Sequence, residues 1–152
     1  MRRSEKEIKS RNEIKAVMQK ADACRIGLCD GATPYVVPVN FGYRGNRLYF
    51  HSAKEGRKLS IIRQNNNVCF EMDIDHEFIE SDVGCRWAMK YKSVIGTGKA
   101  FLIENAAEKI AALKIIMAHY SDKEYDFSES DADKVAVIRI DIESLSGKKS
   151  GY

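Results

Sequence analysis

Polar and apolar positions change period several times along the chain, and each change marks an element. Through "EIKSRNEIKAVMQKA" the residues Ile8, Ile14, Val17, Met18 and Ala21 recur at roughly helical spacing. Ser4 with Glu7 forms an S-x-x-E capping pattern ahead of them, so a first helix is expected to run to about Lys20. Three short extended runs follow, "CRIGLC", "PYVVPVNFGY" and "RLYFHSA", separated by the turn-forming segments "DGATP" and "RGN". Their order predicts an antiparallel meander. Pro34 and Pro38 cannot donate to a ladder, so the second run is expected to be an edge strand or to break at Pro38. From Gly56, "GRKLSIIRQN" suits a short helix. The alternation is cleanest in "NVCFEMDID", where Val68, Phe70, Met72 and Ile74 share one face while Cys69, Glu71, Asp73 and Asp75 share the other. A half-buried antiparallel strand is the expected result.

A polar connection from His76 to Lys90, containing the single Trp, leads to "YKSVIGTGKAFLIE". Gly96 and Gly98 predict a bulge or bend there, of the kind by which small barrels close. Asn105 and Glu108 repeat the capping pattern, and Ile110, Leu113, Ile116, Met117 and Tyr120 lay an apolar stripe along a second long helix. Such a helix is expected to cover an open end of the barrel. An acidic loop, "SDKEYDFSESDAD", precedes a last strand, "KVAVIRIDIE", and the tail "SLSGKKSGY". About six strands with inserted helices, without regular strand-helix-strand alternation, predict an α+β domain built on an antiparallel barrel. "GTGKAF" lacks the third glycine of a dinucleotide loop and lies within a strand, and no P-loop pattern occurs.

Composition narrows this picture. The 152 residues are 44% hydrophobic, enough for one domain, 1–152, with a real core. Lys and Arg number 25 against 22 Asp and Glu, an excess of +3 spread along the chain, which favours small anionic ligands over nucleic acid. "MRRSEKEIKS" has no apolar signal core and no run reaches membrane length, so a cytoplasmic protein without a membrane span is expected. Cys24, Cys29, Cys69 and Cys85 lack close pairing and a matching pair of histidines. No metal site is expected, and those in or beside strands are expected to act as small buried hydrophobes.

Candidate chemistry gathers in three stretches. In "LYFHSAKEGRK" Leu48 and Phe50 share one strand face, Tyr49 and His51 the other, and Ser52 ends the strand. The free N–H groups of a helix starting near Gly56, the Ser52 hydroxyl, Arg57 and Lys58 form a set suited to a terminal phosphate. A solvated turn carrying cations fits the same spacing. His51 stands beside this set, although a single strand histidine is more often structural. In "VVPVNFGY" a proline-interrupted strand and Asn40 offer hydrogen bonds to a planar heteroaromatic ligand, with apolar contact from Val39 and Phe41; a bulged edge strand accounts for the pattern equally. In "CRWAMKYKSVIGTG" Trp87 and Tyr91 suit either an apolar ring or a subunit interface, and Ser93 a polar edge; ordinary packing is the alternative.

The order "PYVVPVNFGY", "YFHSAKEGRK", "NNNVCFEMD", "YKSVIGTGKA" and "SGKK" resembles the FMN-binding split-barrel family related to pyridoxamine 5'-phosphate oxidase, and within it the nitroimidazole-resistance type of flavoprotein. The resemblance runs from about Arg11 to Lys149. It implies a homodimer with FMN at the subunit interface. It also implies that Ser52, Arg57 and Lys58 grip the phosphate while Ala53 and Gly56 allow close backbone approach. Pro38, Val39, Asn40 and Phe41 would wall the isoalloxazine ring and His51 would lie near the ligand, as a candidate catalytic residue. Trp87, Tyr91 and Ser93 would complete the site from the other subunit. The C-terminal substrate motif of the true pyridoxamine phosphate oxidases is absent, so vitamin B6 synthesis is not expected. The implied function is an FMN-dependent oxidoreductase passing electrons from a reduced nicotinamide to a small planar acceptor such as a nitroaromatic, the flavin carrying the redox step. A non-catalytic flavin carrier, store or sensor is the alternative, and a split barrel holding a deazaflavin or haem is a third.

Overall fold

The computed structural model describes residues 3–152. Eight strands and four helices follow the order β1 (Glu7–Ile8), α1 (Arg11–Lys20), β2 (Cys24–Asp30), β3 (Thr33–Val39), β4 (Phe41–Arg44), β5 (Arg47–Ser52), α2 (Arg57–Gln64), β6 (Asn67–Ile79), β7 (Ala88–Ile103), α3 (Ala106–Tyr120), α4 (Glu129–Asp133) and β8 (Ala136–Ser150). All pairings are antiparallel, in the sheet order β3-β2-β6-β7-β8-β5-β4, with β1 added on β8.

That order overturns the simple meander. The hairpins β2–β3 and β4–β5 form as expected, but β3 and β4, separated only by Asn40, occupy opposite edges of the sheet. In a flat sheet of seven strands those edges would lie roughly 30 Å apart, at about 4.8 Å per strand. One residue cannot span that distance, so the sheet curls until its edges meet at Asn40. The result is a split barrel. The break falls at Asn40 rather than at Pro38, which stays in register opposite Arg25. As expected, β3 is an edge strand. Both prolines are tolerated there because an edge strand leaves alternate residues free of any donor requirement.

Several boundaries differ from the sequence expectation. Ser4 does not cap the first helix: Ser4–Lys6 form a single 3-10 turn, and Ile8 pairs with Gly147 and is buried. The cap is Ser10, whose hydroxyl accepts the Glu13 N–H at 3.3 Å, a second S-x-x-E pattern six residues on. The connection expected over His76–Lys90 shrinks to residues 80–87, because β6 and β7 each extend past a register shift between Ile74 and Glu77. The tail expected after the last strand is itself strand, since β8 pairs with β7 as far as Ser150. The acidic loop holds α4, closed by a capping box of Ser128 and Asp131. The bulge foreseen at Gly96–Gly98 is present as a register shift between Thr97 and Gly98.

The barrel interior holds Phe41, Phe50, Phe70, Met72, Ile138 and Ile140, together with Met18 from α1 and Leu59 from α2. A second apolar cluster lies on the other side of β5, β8 and β7, where Ala112, Leu113 and Ile116 of α3 and Ala132 of α4 pack on Ile103 and Val137. Thus α3 does not plug a barrel end; it lies on the outer face of the seam strands. Gly42 permits this, because a Cβ there would sit 2.5 Å from the Ile115 carbonyl oxygen. Of the cysteines, Cys24 is buried, with its thiol pKa pushed up by burial, while Cys29, Cys69 and Cys85 are exposed. Among the described residues, no helix is long and apolar enough to cross a membrane.

Candidate functional site

The junction of β5 and α2 begins with strand alternation. Leu48 and Phe50 point into the core, opposite Ile140 and Ile138 of β8, so Ser52 follows them on that face while exposed His51 turns to the other. The Ser52 hydroxyl donates to the Ala53 carbonyl at 2.9 Å. Gly56 then adopts φ 131°, in the region that favours glycine, and the space a Cβ would point into is open. It is the N-cap of α2, and no side chain caps the helix. Leu59 N–H donates to the Gly56 carbonyl at 3.1 Å, so the N–H groups left to water or to an anion are those of Arg57 and Lys58.

Two cations follow at once and are held differently. Arg57 donates through Nε to Asp30 at 2.9 Å, and its guanidinium lies over the Tyr35 ring, 4.6 Å from the centroid. Lys58 is half-buried, with its Nζ 5.4 Å from the centre of the Phe50 ring. It makes no ion pair among the described residues, and burial lowers its pKa. A partly desolvated ammonium with no carboxylate beside it is a costly arrangement that a bound anion would relieve.

The crossover lies close by, since Phe41 pairs with Phe50, two residues before Ser52. Pro38 and Asn40 are exposed, whereas Val39 and Phe41 are buried in the core. The apolar contacts expected of those two side chains are thus spent on the barrel interior, and the surface the crossover offers consists of Pro38, Asn40 and backbone. The end of α3 locks this segment. The Phe41 N–H donates to the Tyr120 hydroxyl at 2.9 Å, and that hydroxyl donates to the Asp22 carbonyl at 3.0 Å. Burial raises the Tyr120 pKa, which keeps the donating proton in place. His119 Nε2 donates to the Ala21 carbonyl at 2.8 Å, and its ring packs on Phe41 at 4.3 Å.

The third group stands apart. Ser93 pairs with Lys148 and Tyr91 with Ser150, whereas Ser52 pairs with Ala136 at the opposite end of β8. The path along β8 between the two places is about 40 Å at the usual rise per residue. One chain therefore brings Pro38, Asn40, Ser52, Ala53, Gly56, Arg57 and Lys58 to one end of the barrel seam, while Tyr91 and Ser93 pair with the end of β8 opposite Ser52 and Trp87 precedes β7. Trp87 is half exposed, its indole N–H donating to the Ser81 carbonyl at 2.6 Å. Near it Phe78, Val83 and Met89 are also exposed, Phe78 opposite Met89 across β6 and β7.

Asp30, Tyr35 and Tyr120 are the neighbours that sequence reasoning did not single out. Asp30 lies in a segment legible only as a turn, and Tyr35 and Tyr120 lie in ordinary apolar periods. Their contacts with residues 57 and 41 span the fold, and no local pattern encodes them.

The sequence matches the Pyridoxamine 5'-phosphate oxidase family over residues 10–149. An uncharacterized protein of Rhizobium meliloti is 32% identical over 92 residues, covering 60% of this chain and 54% of that protein, so the match spans about half the length of the curated relative. Among solved structures, a candidate 5-nitroimidazole antibiotic resistance protein from Bacteroides thetaiotaomicron superimposes with a TM-score of 0.85 at 35% identity, covering 94% of this chain and 86% of that one. A flavocytochrome from Azotobacter vinelandii (TM-score 0.85, 18% identity, 100% and 72% covered) shares the fold. So does an FAD and heme binding protein from Mycobacterium smegmatis (TM-score 0.87, 14% identity, 97% and 74% covered).

Proposed function

The chain belongs to the Pyridoxamine 5'-phosphate oxidase family, and from that premise we propose that it is an FMN-binding oxidoreductase that works as a homodimer. The observation that carries the reading is Lys58, half-buried without a counter-ion among the described residues, beside the uncapped start of α2. That set fits a phosphate: the helix start supplies N–H donors, Arg57 a forked donor and Lys58 a compact charge. Pro38, Asn40 and the neighbouring backbone offer a wall and hydrogen bonds to the edge of a planar ring, with Ser52 and Ala53 between wall and phosphate.

A second copy of the chain supplies what the first lacks. Tyr91 and Ser93 pair with the end of β8 opposite Ser52, too far along that strand to reach the Ser52 region of their own subunit, and Trp87 lies just before the same end of β7. The exposed apolar group of Phe78, Val83, Trp87 and Met89 is the kind of surface that a partner covers. Bound FMN would accept electrons from a reduced nicotinamide and pass them to a small planar acceptor such as a nitroaromatic. His51, an exposed side chain at the end of β5 on its outer face, orients that acceptor or supplies its proton.

The test is the visible spectrum of the purified protein, followed by anaerobic addition of NADH or NADPH and then of a 5-nitroimidazole. A two-band flavin spectrum that bleaches with the nucleotide and returns with the nitro compound is expected. A flavin spectrum that no nucleotide bleaches would make the protein a carrier, store or sensor, and a protein that neither contains nor takes up FMN would end the flavin reading.

A further inference from the structure

The cations of the β5–α2 junction differ in one respect that neither sequence nor fold requires. Lys58 is left alone, but Arg57 is fixed on two sides by the β2–β3 hairpin. The Asp30 carboxylate takes Nε, the Tyr35 ring lies against the guanidinium, and both Nη groups remain without a hydrogen bond among the described residues. Stability does not account for the pair, because the side chains of Arg57 and Asp30 are 53% and 40% exposed and such surface pairs contribute little. A guanidinium tied down through Nε, however, keeps the Nη fork that matches two phosphate oxygens.

We infer that Asp30, with Tyr35, is a positioning residue that pre-orients Arg57 for the phosphate of the flavin. The inference rests on the phosphate reading of the junction. A long arginine side chain that is already ordered loses less freedom when the anion arrives, so the pair strengthens binding of a phosphorylated ligand and leaves its unphosphorylated analogue unaffected. It also places specificity for the phosphate in a hairpin distant in sequence from the helix that binds it.

The experiment is fluorescence titration of the full-length protein with FMN and with riboflavin. Asp30→Ala should weaken FMN about fivefold, the scale of one side chain's ordering, with riboflavin unchanged. Asp30→Asn, which keeps an acceptor for Nε, should stay close to the parent. In an Arg57→Ala background, Asp30→Ala should have no further effect. Unchanged FMN binding in Asp30→Ala would overturn the inference, tighter binding would overturn it and make the carboxylate a competitor for Arg57, and an Asn variant as weak as the Ala one would overturn it too. If Arg57→Ala selectively weakens FMN while Asp30→Ala does not, only the positioning role fails. If Arg57→Ala weakens FMN and riboflavin alike, the phosphate reading fails and the positioning role with it.

Discussion

The β5–α2 junction and the β3–β4 crossover are neighbours across the Phe41–Phe50 pair, yet they are built on opposite terms. At the junction polar groups are left over among the described residues: no side chain caps α2, Lys58 has no counter-ion and the Arg57 fork is open. At the crossover the exposed turn is tied down, with the Phe41 N–H and the Ala21 and Asp22 carbonyls all engaged by the end of α3. Groups already satisfied by the protein hold the barrel seam, and groups left unsatisfied at its edge are those with something to offer a ligand. Damage to the crossover should therefore appear as lost stability, and damage to the junction as lost binding by a folded protein.

The largest effect is expected at the crossover. Gly42→Ala places a methyl 2.5 Å from the Ile115 carbonyl oxygen and should push α3 off the seam, costing about 3 kcal/mol in urea unfolding. A stability within 0.5 kcal/mol of the parent, an order-of-magnitude limit for surface changes, would show that the helix backbone gives way easily. Next, Arg57→Ala with Lys58→Ala should weaken FMN by about 100-fold while the fold stays intact, since two charge-assisted contacts are removed. Equal loss for riboflavin would detach these cations from the phosphate. Tyr120→Phe removes the hydroxyl that joins Phe41 to Asp22 and should cost about 1.5 kcal/mol in the same unfolding assay, with FMN affinity following stability only.

The smallest effect is a pH dependence that takes opposite signs in the two properties. Burial holds the folded Lys58 pKa below its unfolded value, so the unfolded chain binds more protons across that interval. The cost of the half-buried ammonium is fully present below the folded pKa and is relieved as pH rises from there to the unfolded one. Ligand-free stability should therefore rise slightly across this window. On the proposed phosphate role of Lys58, FMN binding needs the charged form and should weaken over the same range, with riboflavin flat. Denaturation and titration series from neutral to alkaline pH, run beside Lys58→Met, measure both; the same slopes in the variant would assign them to other groups.

Much of the fold was legible because it is locally encoded. The alternation of Val68, Phe70, Met72 and Ile74 placed them on the buried face, and the Asn105 cap placed the start of α3. The edge position of β3 followed from two prolines. Ser4 misled because its S-x-x-E pattern is matched by that of Ser10, and the choice between them falls to Ile8, which β8 recruits through Gly147. The candidate site divides in the same way. Ser52, Gly56, Arg57 and Lys58 fall within seven consecutive residues, and a strand that ends before a glycine-led helix announces itself in a dozen residues. Asp30, Tyr35 and Tyr120 act on residues 22 to 98 positions away and carry no local signal.

By itself, then, the sequence determined the periodicities, the caps and turns, and the run of polar groups after β5, all of which depend on residues within a turn or two of one another. Tertiary structure decided that β3 and β4 part at Asn40 to opposite edges of one sheet. It also decided that Val39 and Phe41 face the core, and that Arg57 is held while Lys58 is left alone. Those outcomes come from closing the sheet into a barrel, which sets side chains from distant strands in contact and forces each to find a partner or go without.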